Sequence, residues 1–98
     1  MNTDLMQAKI LNTAMQLANL HGFNGVTRNM IADRAEIAVG SVSYHFKSMP
    51  KLKAAMVTRA IETENLKVLG QAIAGKHPLA LKAPDELKKR AVLAIAGL

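Results

Sequence analysis

Hydrogen-bonding side chains cluster in one short segment of this sequence, between residues 40 and 46. The members of the cluster are Ser41, Ser43, Tyr44 and His45, all small or polar and able to donate a hydrogen bond. Val42 and Phe46 lie four residues apart, so on a helix they would share the opposite, apolar face. A short helix with an apolar back and a small, hydrogen-bonding front suits the base edges of the DNA major groove. The segment therefore predicts contact with DNA.

A helix-turn-helix would hold this segment in place. Thr27 suits the N-cap of a first helix, because its hydroxyl can accept a hydrogen bond from an unpaired N–H of the opening turn. The apolar face of that helix follows at helical spacing and consists of Ile31, Ala32 and Ala35. Residues 36–38 form the corner, with Ile37 directed inward, and the second helix is predicted over Val39–Phe46.

The sequence from about residue 8 to residue 56 resembles the DNA-binding domain of the TetR family of bacterial repressors. The similarity rests on Ile31-Ala32, Ala35, Ile37, Gly40-Ser41-Val42, Tyr44-His45-Phe46, Lys47-Ser48 and Leu52, and upstream on Ile10-Leu11, Ala14, Leu17-Ala18 and Gly22-Phe23. The resemblance implies an all-α fold that begins with a three-helix, TetR-type helix-turn-helix domain. The sequence differs from the family pattern at Glu36 (usually Gly), Ala38 (usually Ser), Ser43 (usually Tyr) and Met49 (usually a phosphate-binding Lys).

Ten residues are candidates for DNA contact. Phosphate contacts are expected from Thr27, Arg28, Tyr44, His45, Lys47 and Lys51, which are cationic, hydrogen-bonding or placed at a helix N-terminus. Base contacts are expected from Val39, Gly40, Ser41 and Ser43. In the second group, Gly40 allows close backbone approach and Val39 could contact a thymine methyl group.

Tyr44 and His45 have a second interpretation, in which they pack at the helix end beneath the following helix. For Tyr44 the DNA contact is favoured, whereas for His45 the two interpretations stay equal. His21 and His45 lack a third ligand at metal spacing, and His77 lies far along the chain, so no metal site is predicted. Nor is a cofactor site or an enzyme predicted, because the sequence has no Gly-rich phosphate loop and no Ser/His/acid set in a structural context.

The composition limits the class of protein. Ninety-eight residues suffice for a small globular fold, and hydrophobic residues make up 50% of them. The formal net charge of +6 suits a polyanionic partner. The sequence contains no cysteine, so disulfides are excluded. We find no signal peptide and no apolar run of about 18 residues that could span a membrane, and a cytoplasmic location is expected.

Helices are also predicted before and after the helix-turn-helix. The first has an apolar stripe and ends at Gly22. After Ser48 and Pro50, a long connecting helix of over 30 Å is predicted to continue to about Gly70 or Gly75. A C-terminal helix begins at Pro84. We expect a DNA-binding domain over residues 1–52, followed over residues 53–98 by the start of a dimerisation or regulatory region.

The two later helices have more apolar surface than one small core should use. The residues concerned are Leu66, Leu69, Ile73, Leu87, Val92 and Ile95. Two hypotheses follow. The first is a transcriptional repressor that binds double-stranded DNA as a homodimer and acts by occupying its operator, with a small-molecule inducer only if a longer C-terminal domain exists. The alternative is a helical protein-interaction module that kept the scaffold and lost operator recognition. Salt-dependent DNA binding would distinguish them.

Overall fold

Helices joined by short turns make up the described chain. The computed structural model describes residues 3–97, and side chains from residue 5 onward. Its helices are α1 (Thr3–His21), α2 (Arg28–Ala35), α3 (Val39–His45), α4 (Met49–Glu62), α5 (Leu66–Ala74), α6 (Pro78–Leu81) and α7 (Asp85–Ile95), with one 3-10 turn at Phe23–Gly25. No strand occurs between residues 3 and 97, so the predicted all-α class is confirmed.

The helix-turn-helix is built around a small apolar core beneath α2 and α3. Ile31 and Val42 are completely buried and fix the inner faces of the two helices. Ile10 of α1 and Leu52 of α4 are also completely buried in the same cluster. Phe46 is partly buried against this core, but it lies just after α3 rather than within it. The predicted inner face is therefore confirmed, and the second helix is one residue shorter than predicted.

The predicted long connecting helix is wrong. α4 ends at Glu62, so its 14 residues extend only about 21 Å. A new helix, α5, begins at Leu66, where the Asn65 side chain caps it by accepting a hydrogen bond from Val68 N at 3.2 Å. The chain turns between them because Glu64 adopts a left-handed conformation, with φ 53°. The expected domain boundary after residue 52 lies within α4 and stays a prediction.

The same type of helix ending occurs three times between residues 3 and 97. After α2, α4 and α5, one backbone N–H donates a hydrogen bond to the carbonyl five residues earlier in the chain, as Ile37 N does to Ala32 O at 3.0 Å and Asn65 N to Ala60 O at 2.8 Å. The N–H of the residue before it donates to the carbonyl three residues earlier than itself. This pattern is the Schellman motif, whose left-handed position is usually glycine. Here those positions are occupied by Glu36 (φ 57°), Glu64 (φ 53°) and Lys76 (φ 60°).

Replacing Glu36 by glycine should stabilise the protein by about 1 kcal/mol. A non-glycine residue in the left-handed region destabilises the folded state by about 1–2 kcal/mol. Glycine avoids this cost, but it loses more conformational entropy on folding, which offsets part of the gain. Glu36 is exposed and has the turn conformation that glycine prefers. Urea denaturation measures the change.

The control for this substitution is Glu62→Gly, because Glu62 is exposed within the last turn of α4. There glycine should be neutral or destabilising, by up to about 1 kcal/mol. A loss of stability in both variants would contradict the assignment of strain to Glu36.

The two later helices, α5 and α7, pack closely on each other. Leu69 and Leu87 are buried in the core of the single chain, and Leu66 and Ile73 are partly buried against it. The sequence predicted more apolar surface on these helices than one small core can bury. For the α5 face that prediction was wrong, because the break at residues 63–65 lets α5 pack on α7. Large exposed apolar side chains remain on α7, namely Val92, Leu93 and Ile95.

The described chain measures 41 × 21 × 19 Å along its principal axes. Between residues 3 and 97, no helix is long and apolar enough to cross a membrane.

Candidate nucleic-acid interface

A surface groove lies between the start of α2 and the outer face of α3. Its volume is ≈ 480 Å³, and it is lined by Val26, Thr27, Arg28, Asn29, Val39, Ser43 and Met49. Four of the ten predicted contact residues thus meet in one place: Thr27 and Arg28 from α2, and Val39 and Ser43 from α3. No acidic side chain lines the groove, and Arg28 gives it a positive charge.

The N-terminus of α2 forms one side of this groove. Thr27 has an extended backbone and caps the helix, since its hydroxyl accepts a hydrogen bond from Met30 N at 3.2 Å. The remaining N–H groups of the first turn have no intrahelical partner, and helix N-termini attract anions for that reason. Arg28, at the first helical position, adds a full positive charge. This end of α2 therefore has the features of a phosphate-binding site.

The outer face of α3 forms the other side. Val42 is completely buried, and this anchors the helix with its opposite face outward. Val39 is 44% exposed, and Ser43 lies one turn further along the same face. Gly40 is exposed, and a Cβ added there would have no heavy atom within 4 Å. The surface is thus shallow and unobstructed, so a base edge could approach the backbone.

A second group of predicted residues lies at the C-terminal end of α3. Tyr44 is 63% exposed, and the Lys47 ammonium lies 4.8 Å from the centre of its ring. This cation–π contact holds a positive charge beside the phenol hydroxyl. Both groups are exposed, and their phosphate contacts stay a prediction.

His45 is placed differently from Tyr44. It is half-buried, and its ring meets the Tyr44 ring edge-on, with centroids 5.0 Å apart. Its Nδ1 atom is buried and has no hydrogen-bond partner among the described residues. The backbone carbonyl of His45 accepts a hydrogen bond from Gln7 Nε2 of α1 at 3.4 Å. These contacts place His45 at the end of α3, beside Tyr44 and α1, and its phosphate contact stays a prediction.

The remaining predicted residues do not line the groove. Ser41 is half-buried near the start of α3. Lys51 is exposed in the first turn of α4, where its backbone N–H donates to Ser48 Oγ at 3.3 Å. Ser48 therefore caps the start of α4. Lys53, two residues later, is turned toward Phe23 and is not available to this surface.

Three groove residues were missing from the predicted set, namely Val26, Asn29 and Met49. Asn29 is exposed in the first turn of α2, and the sequence signal for it was its position directly after a capping threonine and an arginine. Met49 is the first residue of α4 and lines the groove opposite Arg28 and Ser43. The sequence marked Met49 as a departure from the family pattern but gave no indication that its side chain would contact the groove.

Comparison with known proteins agrees with this geometry. The family model for bacterial regulatory proteins of the tetR family matches residues 10–56. The HTH-type transcriptional repressor KstR of Mycobacterium tuberculosis (strain ATCC 25618 / H37Rv) is 31% identical over 70 residues, which are 71% of this chain and 32% of the repressor. The match thus spans about a third of the relative's length. No solved structure matches the chain significantly.

The matched segment includes all of α2 and α3, the groove between them and the first turns of α4. Residues 10–56 are therefore a TetR-type helix-turn-helix domain.

Proposed function

We propose that this protein is a sequence-specific transcriptional repressor that acts by occupying its operator. The observation that supports it most is the groove in which a helix N-terminus, Arg28 and the outer face of α3 meet without an acidic side chain. The relative named as a transcriptional repressor supports the direction of the regulation. In this mechanism, the bound protein blocks the access of polymerase or another protein to overlapping DNA.

The contacts divide into two groups in this proposal. Thr27, Arg28, Tyr44 and Lys47 bind phosphates on either side of the groove and set the position of α3. Val39, Gly40 and Ser43 face the bases, where a serine hydroxyl and a valine methyl discriminate among base edges. Ser41 and Lys51 are proposed at the border of the contact area, since neither lines the groove.

Replacing Lys47 by alanine should weaken binding to every duplex and lower the salt dependence of log K by about one unit. Each neutralised phosphate releases condensed counterions, so one lost contact changes the slope by roughly 0.9. The observation behind this prediction is the exposed Lys47 ammonium held over the Tyr44 ring. Titration of labelled operator and random duplexes at several salt concentrations measures the slope.

The converse substitution, Met49→Lys, gives a matched test in the opposite direction. It places a cation at the rim of the groove, so affinity and salt slope should both rise, the slope by about one unit. Unchanged slopes in both variants would place DNA elsewhere on the protein. An absence of salt-dependent binding in the parent protein would instead favour the protein-interaction module.

We further propose that the regulator binds DNA as a homodimer. Val92, Leu93 and Ile95 on α7 are 43%, 42% and 39% exposed, and neighbouring apolar side chains on a surface commonly mark an interface. A two-fold dimer would present two α3 helices about 34 Å apart, one turn of DNA, and would select a palindromic operator.

Replacing Leu93 by aspartate should dissociate this dimer. Leu93 is the suitable position because Ile95 also lies against Gly70 of α5, and its replacement would disturb the fold. Sedimentation equilibrium over micromolar concentrations should give a dimer for the parent and a monomer for the variant. Leu20→Asp is the control, since Leu20 is 61% exposed on α1, away from α7. A monomeric parent would refute the homodimer.

A further inference from the structure

A second cavity lies where the helix-turn-helix meets α5 and α6, and Met49 lines both this cavity and the DNA-facing groove. Its volume is ≈ 410 Å³, within the range of about 300–1,000 Å³ that is usual for small-molecule sites. Three segments line it: the 3-10 turn with Phe23 and Asn24, the start of α4 with Met49, Pro50 and Lys53, and the α5–α6 connection with Ala72, Gly75, Lys76, His77 and Pro78.

Lys53 is the central polar group of this cavity. Its ammonium donates a hydrogen bond to the Phe23 carbonyl and lies 4.4 Å from the centre of the Phe23 ring. Neither of these partners has a full negative charge, and the ammonium has three donor hydrogens. Burial lowers the pKa of Lys53, because the charged form loses water without gaining a carboxylate. A bound anion would provide the missing counter-charge.

The electrostatic character of the lining is uniform. Lys53 and Lys76 are its charged side chains, and none of the lining residues is acidic. The ion pairs found between residues 3 and 97 join Asp85 to Lys88 and Glu64 to Arg90, so neither lysine of the cavity takes part in them. The cavity is thus a positively charged site whose own residues do not neutralise it.

Apart from Asn24, the rest of the lining is apolar or aromatic, and it is held in place from several sides. The Phe23 backbone N–H donates to Gln71 Oε1 at 2.6 Å, while its carbonyl accepts from Lys53, so the turn is fixed to both α5 and α4. The His77 ring meets the Phe23 ring edge-on at 6.2 Å. His77 Nδ1 accepts from Leu79 N at 3.2 Å, which leaves Nε2 as the ring's remaining polar atom. Met49, Pro50 and Pro78 complete the apolar wall.

We propose that this cavity binds a small organic carboxylate with an aromatic or short apolar body. The carboxylate pairs with the Lys53 ammonium, with Lys76 adding charge at the other side of the opening. The apolar body packs on Phe23 and the two prolines. A compact inorganic anion would leave the apolar wall uncovered, and a neutral apolar molecule would give the Lys53 ammonium no counter-charge. The charged and the apolar lining residues together therefore favour a molecule that has both a carboxylate and an apolar body.

Benzoate and benzamide form a matched pair of probes, because they share a shape and differ in charge. Amide chemical shifts of the full, DNA-free chain should move saturably on titration with benzoate, at Phe23, Asn24, Gly75, Lys76 and His77. Benzamide should bind at least about tenfold more weakly. Equal binding of the two, or the absence of saturable shifts with benzoate, would overturn the proposal without reference to any variant.

Substitution then tests the role of Lys53. Lys53→Met keeps the aliphatic stem over Phe23 and removes the charge, and it should weaken benzoate binding at least about tenfold while leaving benzamide unaffected. Lys89→Met removes an exposed charge from α7 and should leave both affinities unchanged. Undiminished benzoate binding by Lys53→Met would overturn the assignment. Because no DNA is present, the result does not depend on the proposed repressor function.

Discussion

Gly70→Ala should lower the melting temperature of this protein by roughly 10 °C, which corresponds to about 2 kcal/mol for a domain of this size. Gly70 is buried in α5, where that helix lies directly against α7. A Cβ added to Gly70 would come within 2.5 Å of both the Ala91 carbonyl oxygen and Ile95 Cγ2. These distances are far inside van der Waals contact, so the two helices would have to separate.

The size of this effect follows from two opposing contributions. Alanine favours a helix over glycine by about 1 kcal/mol, and this would stabilise the variant if space were available. Overpacking typically costs 1–3 kcal/mol and sometimes more. Here the obstructing atom belongs to the backbone of α7, which cannot move aside as a flexible side chain would. We therefore expect the packing cost to exceed the gain in helix propensity.

Thermal and urea denaturation measure this difference, with Gly25→Ala as the control. A Cβ on Gly25 would meet no heavy atom within 4 Å, and Gly25 does not have a positive φ. That variant should remain within about 0.5 kcal/mol of the parent. A Gly70→Ala variant as stable as the parent would show that α5 and α7 do not pack closely in solution.

Gly70 also illustrates where prediction from the sequence failed. The helix-turn-helix was predictable because its signals are local: Thr27 caps α2, and Ile31 and Val42 lie at helical spacing and are completely buried. The break between α4 and α5 was not predictable, because the left-handed position at the helix end is occupied by Glu64 and not by glycine, which would have indicated it. Without that break, Gly70 was expected near the end of one long helix rather than at a contact between two.

The candidate interface shows the same division between local and distant signals. Residues of α2 and α3 could be proposed from their types and spacing, and four of the ten proposed residues line one groove. For His45 the sequence left two interpretations equal, because its contacts include a hydrogen bond from Gln7 of α1, 38 residues away, to its backbone carbonyl. Met49 contacts the groove because α4 begins beside α2 and α3, and this too depends on the tertiary arrangement.

Gly40→Glu should reduce DNA affinity at least about 100-fold while leaving the fold intact. Gly40 is exposed on α3, on the face directed away from buried Val42. Nothing lies within 4 Å of a Cβ built there, so a larger side chain meets no protein atom close to the backbone. Glutamate is also a better helix former than glycine, and thermal stability should therefore stay the same or rise slightly.

The loss of affinity follows from charge and from space. If α3 lies in the major groove, the carboxylate is placed between two phosphate backbones, and like charges brought together in an interface cost several kcal/mol. About 2.7 kcal/mol already corresponds to a 100-fold change in the dissociation constant. The side chain also prevents the close backbone approach that glycine permits at this position.

Two control variants separate these effects from the general loss of positive charge. Gly40→Ala adds bulk without charge and should cost much less affinity than Gly40→Glu. Leu20→Glu makes the same charge change as Gly40→Glu at a 61% exposed position near the C-terminal end of α1, outside the proposed dimer surface, and it should affect binding only slightly. Fluorescence anisotropy with a labelled operator measures affinity, and thermal unfolding confirms the fold. If Gly40→Glu binds DNA as tightly as Leu20→Glu does, α3 is not the recognition helix, and the groove beside Arg28 does not contact DNA.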